Sequence, residues 1–332
     1  MNRAGSLAGS LHVVGSRPGL WALALLTYLI RGGAVLAIAP IVVLPSAVGV
    51  GNVVVPGLTT VVFGGLTPGT AIVLVVAVMA AIIWVVASSL LAAAAEAASI
   101  RIVASAGTDT LVGTADSRQV ARVVVARWVT TLPLVVALVF GLVRIVALAY
   151  RELTLPSETG VPVVVRVIAD APEVLVAIGL TWLLGGLLGG LAARRVVLAD
   201  AGVVAALGFA VGSAVRHPIR CAIAFGIPLA VFGGALAIAV LTGTVVAGTA
   251  RLALGAGGPL AAVLAVLGLV VVWAAGWLLV GVAGAWRSAA LTLEMDGTFG
   301  GATHGQRGDW YADGGSGTMA DLRPRGVDPD PR

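Results

Sequence analysis

The stretch GGLLGGLAARRVVLADAGVVAALGFAVGSAVRHP, residues 185–218, decides how this chain is read. It closes a long apolar run and carries the basic pair Arg194-Arg195. A moderately apolar segment then starts at Asp200 and ends in Arg216-His217-Pro218, ahead of the next apolar run. Apolar side chains favour hydrocarbon and guanidinium heads favour the headgroup layer, so a leucine-rich helix that stops at paired arginines has reached a membrane edge. The stretch reads as membrane helix, cytoplasmic edge, interfacial helix and entry to the next membrane helix.

Composition agrees. Hydrophobic residues make up 59% of the 332 and charged residues 11%, far from the balance of soluble domains. All 20 basic residues are arginine, a bias typical of GC-rich prokaryotic genomes. A formal charge of +5 is expected here to reflect arginines on cytoplasmic loops, and no nucleic-acid partner is implied. The single cysteine, Cys221, excludes an intrachain disulfide and any CxxC metal knuckle.

Crossing about 30 Å of hydrocarbon takes roughly 20 apolar residues. Six runs qualify, near 19–44, 70–95, 128–150, 172–193, 219–243 and 259–285. Each has a proline near its start (Pro18, Pro68, Pro133, Pro172, Pro218, Pro259), where a missing N–H costs least. The expected fold is all-α, a polytopic bundle of about six helices arranged as three hairpins. Fifteen arginines fall on the side holding both termini, the second loop and the fourth, against Arg151, Arg166 and Arg251 opposite. The positive-inside rule then places both termini in the cytoplasm of a prokaryotic plasma (inner) membrane. Arg31 interrupts the first run and Pro40 follows its one small-residue site, so that run reads as an uncleaved helix.

Three divisions follow: residues 1–18 as a cytoplasmic segment, 19–295 as the transmembrane domain and 296–332 as a disordered cytoplasmic tail. The tail is rich in Gly, Asp, Pro and Arg, and its few apolar residues cannot offset the entropy of ordering it. A repeat is visible in which a polar lead-in passes through a proline into each hairpin: Ser6 to Pro18, Ser117 to Pro133, Asp200 to Pro218. Ser117 and Asp200 are expected N-caps of helices lying in the headgroup layer. The loop near 45–69 carries no charge and reads either as a re-entrant apolar loop or as low-complexity sequence packed on the bundle.

Charge inside a span is the usual pointer to function. Arg31 lies near mid-depth of the first run and Arg144 inside the outer end of the third. Each fits a substrate path or mere tolerance, Arg144 by snorkelling or by pairing with Glu173. No acid is expected deep enough to meet Arg31, so Arg31→Leu is expected to leave stability unchanged or raised. Glu96 and Glu294 read as markers of helix ends. Arg118, Arg122, Arg194, Arg195, Arg216 and Arg220 are the candidate contacts to anionic headgroups. Gly185–Gly189 and Gly186–Gly190 form two GxxxG patterns, expected to bring helices close inside the bundle. His12, His217 and His304 are scattered, and no HExxH, paired intramembrane acids, GxSxG or P-loop occurs. No catalytic role, cofactor or metal is expected.

Residues 193–218, ARRVVLADAGVVAALGFAVGSAVRHP, resemble a segment of prokaryotic six-helix membrane proteins of uncharacterised role. They are also similar to the membrane domain attached to some glycerophosphodiester phosphodiesterases, with Asp200, Ala205 to Leu207, Arg216 and Pro218 carrying the likeness. The end of the sixth run, Trp286 to Glu294, is similar too. The soluble catalytic domain of those enzymes has no counterpart, so the resemblance implies a membrane module without the activity. The expected function is a non-enzymatic scaffold or lipid-interacting module partnered by the bilayer and its anionic headgroups. The alternative is a small permease or transporter subunit with a path past Arg31.

Overall fold

A computed structural model describes residues 3–42, 67–105, 116–154, 163–256 and 258–315. The described residues are almost wholly helical and form no strand. In chain order the elements are α1 (Arg3–Ser16), α2 (Gly19–Tyr28), a π-helical turn (Leu29–Gly33), α3 (Ala34–Val42), α4 (Pro68–Ala104), α5 (Ser117–Thr154), α6 (Val163–Ala169), α7 (Pro172–Ala199), α8 (Val203–Arg216), α9 (Pro218–Ala256) and α10 (Pro259–Gly315). The charge-free loop near 45–69 lies almost entirely outside the described residues, as do 316–332 of the tail. Helix α10 runs past Asp296 to Gly315.

Among the described residues, six helical segments are long and apolar enough to cross a membrane: Gly19–Ile38, Pro68–Ala104, Ser117–Glu152, Pro172–Ala199, Pro218–Gly255 and Pro259–Met295. Their most apolar windows bury little, none of that window in α4 and 28% at most in α9. Val73, Ile83 and Trp84 on α4 and Val136, Leu142 and Val143 on α5 point outward, more than half exposed. Only a hydrocarbon surrounding satisfies such a surface while the helices satisfy their own backbones. This is a multi-pass membrane protein.

Packing joins α9 to α10 and α5 to α7 most extensively, with α2 lying between α10 and α4. The main core sits at one end, where the arginines concentrate. There Ala93, Ala97 and Ile100 of α4 meet Val123 and Ala126 of α5, Ala192, Ala193 and Val196 of α7, and Ala206 and Ala210 of α8. Small side chains let membrane helices approach closely, and close approach supplies the dispersion contacts that hold them.

Proline opens α4, α7, α9 and α10, but Pro133 lies inside α5. The second lead-in is therefore no separate interfacial helix; it is the first half of a continuous 38-residue helix. No turn residue or polar gap accompanies Pro133, and Thr130 and Thr131 hydroxyls donate back to the Ala126 and Arg127 carbonyls just upstream. Two expected caps also move. Asp116, not Ser117, accepts from the Arg118 amide at 3.4 Å. Asp200 ends α7 in the left-handed region (φ 48°), and Gly202 precedes α8 without a side-chain cap. Aspartate tolerates that conformation, and here its carboxylate is occupied across the bundle by Arg122 of α5 at 3.0 Å and by Gln119 at 3.1 Å.

The first lead-in, α1, is a distinct helix fastened over the end of α4 and against the middle of α10. Arg17 donates to the Ile102 carbonyl at 2.6 Å, one of the acceptors left open at the end of α4. Trp286 donates to Ser10 at 2.9 Å and Trp21 to the Val14 carbonyl at 2.8 Å.

Candidate functional site: a buried arginine cluster around Glu96

Glu96 stands in the run AAAAEAAS of α4, where its neighbours are too small to hold other helices away. It is 8% exposed. Arg127 of α5 grips both its oxygens, Nε donating to Oε2 at 3.1 Å and Nη2 to Oε1, the bidentate fork that suits a planar guanidinium to a carboxylate. Arg31 donates to Oε2 from the other side at 2.8 Å.

Arg31 reaches Glu96 because the first span breaks beneath it. Residues Leu29–Gly33 form a π-helical turn containing Gly32 at φ 106°, which only glycine adopts readily. A Cβ on Gly33 would clash with the Tyr28 ring. Two consecutive glycines thus allow the bend and seat the aromatic ring against it. The reading of Glu96 as a helix-end marker, and of Arg31 as lacking an acidic partner, is overturned. Helix α4 continues two turns beyond Glu96, and this places the carboxylate inside the bundle. Arg31→Leu then removes a hydrogen bond to a charged group. The expected outcome is a loss of about 1.5–3 kcal/mol in detergent unfolding, softened because Arg127 still holds Glu96.

Two further guanidiniums complete the cluster. Arg194 of α7, expected at the headgroups, is instead 3% exposed. It donates to the Gly190 carbonyl (2.7 Å), the Thr292 hydroxyl (2.9 Å) and the Ser288 carbonyl (2.8 Å), all neutral acceptors. Its neighbour Arg195 stays nearer the surface, over the Phe209 ring at 4.9 Å. Helical geometry separates them: adjacent residues lie about 100° apart, so only one of the pair turns inward. Arg287 of α10 lies over Phe225 at 5.0 Å and Phe232 at 5.8 Å. Its Nη2 lies beside Gly186 of α7, whose carbonyl accepts from Arg127 Nη1 at 3.5 Å.

The glycines of α7 make room for these groups. A Cβ at Gly185 would stand 2.6 Å from the Thr130 carbonyl oxygen of α5. At Gly189 it would meet Thr130 Oγ1 at 2.6 Å and Arg127 Nη1 at 2.9 Å, and at Gly190 Arg194 Nη1 at 3.4 Å. At Gly186 it would meet the Phe225 ring at 3.1 Å and Arg287 Nη2 at 3.8 Å. The same small residues that admit α5 therefore admit the guanidiniums.

Among the described residues, Arg31 and Arg127 hold the Glu96 carboxylate while Arg194 and Arg287 rest on neutral and aromatic partners, so positive charge exceeds negative in the cluster. Such a site repels cations and offers donors to anions; arginine stays protonated, so it neither relays protons nor acts as a base. At the opposite end of the bundle arginines are paired with carboxylates. There Arg144 lies 3.3 Å from Glu173, Arg151 2.9 Å from Asp170, and Arg166 3.5 Å from buried Glu152.

Of the remaining arginines, Arg122 pairs with Asp200, while Arg216 and Arg220 are exposed at the junction of α8 and α9. Arg118 is exposed at the start of α5. Sequence reasoning passed over Arg127, Arg287, Ser288 and Thr292. The signal available was a charge flanked by small residues, AAAAEAAS around Glu96 and WRSAALT around Arg287, which marks a place where helices close on a polar group. Comparison with protein-family models, with curated proteins and with solved structures finds no match for this chain.

Proposed function

We propose that the protein is a lipid-interacting module of a prokaryotic plasma membrane, with both termini cytoplasmic and no catalytic role of its own. One observation carries this reading. Helix α8 exposes Val204, Val211 and Val215, followed by Ile219 at the start of α9, as one apolar stripe on its outer side. Arg216 and Arg220 stand exposed beside that stripe, and Ala206, Ala210 and Ser213 bury the inner face. Apolar side chains at the acyl boundary with arginines at headgroup level are what a helix lying in the interface requires.

Each arginine near an anionic surface contributes about 1 kcal/mol, reduced by salt. Protein purified in mild detergent is therefore expected to retain anionic phospholipid above its share of the membrane. Arg216→Gln with Arg220→Gln should lower that enrichment severalfold without changing the unfolding temperature. Equal lipid retention in both would refute the reading. Orientation is tested separately with cysteines at Ser157 and Gly315 in a Cys221→Ala background. An impermeant thiol reagent applied to intact cells should label the first and spare the second, and the reverse pattern would refute cytoplasmic termini.

The second reading, a small permease or transporter subunit, is favoured by the polar interior around Glu96. It predicts anion flux into proteoliposomes that Arg31→Leu abolishes; the lipid-module reading predicts none.

A further inference from the structure

We propose that the arginine cluster binds one phosphate-type oxyanion inside the bundle, received by Arg287 and Arg31. The inference goes beyond headgroup contact at α8 and is independent of it. Its basis is the inventory of donors. Arg194 already donates from all three of its nitrogens to neutral acceptors, and Arg127 donates to Glu96 and to the Gly186 carbonyl. Arg31 spends Nη2 on Glu96, and its side chain remains 41% exposed. Arg287 donates no hydrogen bond among the described residues; aromatic faces at 5.0 and 5.8 Å steady its charge but accept none of its N–H groups in the manner of an oxygen.

Charge points the same way. Guanidinium is expensive to hold in a low-dielectric surrounding unless an opposite charge accompanies it. At the far end of the bundle Arg144, Arg151 and Arg166 each have a carboxylate within 3.5 Å; in this cluster Arg31 and Arg127 share one, and among the described residues none is hydrogen-bonded to Arg194 or Arg287. A multiply charged anion restores the balance. Phosphate suits the vacant donors better than a halide, because guanidinium forks present paired N–H groups matched to tetrahedral oxygens.

The phosphate could belong to a lipid headgroup or be free in solution, and the experiment separates the two. Full-length protein is placed in nanodiscs of zwitterionic lipid and its unfolding temperature is followed against inorganic phosphate, with chloride at matched ionic strength as reference. A second arm replaces part of the lipid with phosphatidic acid. A saturable rise in either arm beyond the chloride reference is expected, and the arm that shows it names the source. Arg287→Gln should weaken the half-saturating concentration at least tenfold, whereas Arg216→Gln with Arg220→Gln should not move that for inorganic phosphate. Should Arg287→Gln fail to fold, Arg31→Gln provides the same comparison, since Arg127 still holds Glu96. No rise in either arm, or a rise untouched by the Arg287 and Arg31 substitutions, overturns the proposal. Either result leaves the lipid enrichment at α8 to stand or fall by its own measurement.

Discussion

Glu96→Gln is expected to cost about 3–5 kcal/mol of stability in detergent, among the largest effects of any single substitution in the chain. The change is nearly isosteric, so it creates no cavity. What it removes is the carboxylate that the guanidiniums of Arg31 and Arg127 share, at a site 8% exposed. The amide can accept from one of them but carries no charge, and its NH2 faces a second donor. Thermal or denaturant unfolding of the purified protein measures the loss. The charge argument makes a sharper statement for the double variant. Glu96→Gln with Arg127→Gln removes one charge of each sign, so its cost should fall short of the sum of the two single costs. Additive losses would show that the pair is not coupled and that the cluster is held by packing alone.

Gly185→Val is expected to disrupt the α5–α7 pairing. A Cβ there would stand 2.6 Å from the Thr130 backbone oxygen, and backbone cannot swing aside as a side-chain tip can. Either the two helices separate or the substituted helix shifts along its partner, and the neighbouring seats of Arg127 and Arg194 shift with it. Overpacking ordinarily costs about 1–3 kcal/mol and more where backbone is the obstacle. The control is Gly208→Ala on α8, where a Cβ meets nothing within 4 Å. That change should be neutral or stabilising by up to about 1 kcal/mol, since alanine is the better helix former. If both variants unfold at the wild-type temperature, the close approach at Gly185 is not structurally limiting.

Much of the architecture was legible in the chain because membrane insertion is governed by local quantities. Twenty apolar residues suffice to identify a span, a proline marks the opening of all but the third, and a run of residues such as VLVVAVMAAIIWVV needs no partner to be read. Boundaries were less legible where helix continued under polar sequence. The spans ending near 95 and beginning near 128 run on to Ala104 and back to Ser117, because the bundle packs its polar-flanked ends and not its hydrocarbon-facing middles.

The candidate site was legible only in fragments. Arg31 stood out as a charge in an apolar run, and the glycines of 185–190 stood out as a small-residue face; neither showed that they belong together. Arg31 and Glu96 are 65 positions apart, and Arg194 and Thr292 are 98 apart. Nothing in the local sequence tells Arg194, turned into the bundle, from Arg195 beside it, left over Phe209. Composition and hydropathy by themselves determined a six-span helical protein, because each span's preference for hydrocarbon is a property of its own side chains. Which charges are paired, which are seated on glycine, and which keep open donors was decided only by the tertiary structure, because the free energy of a buried charge depends on what other helices bring within about 3 Å of it.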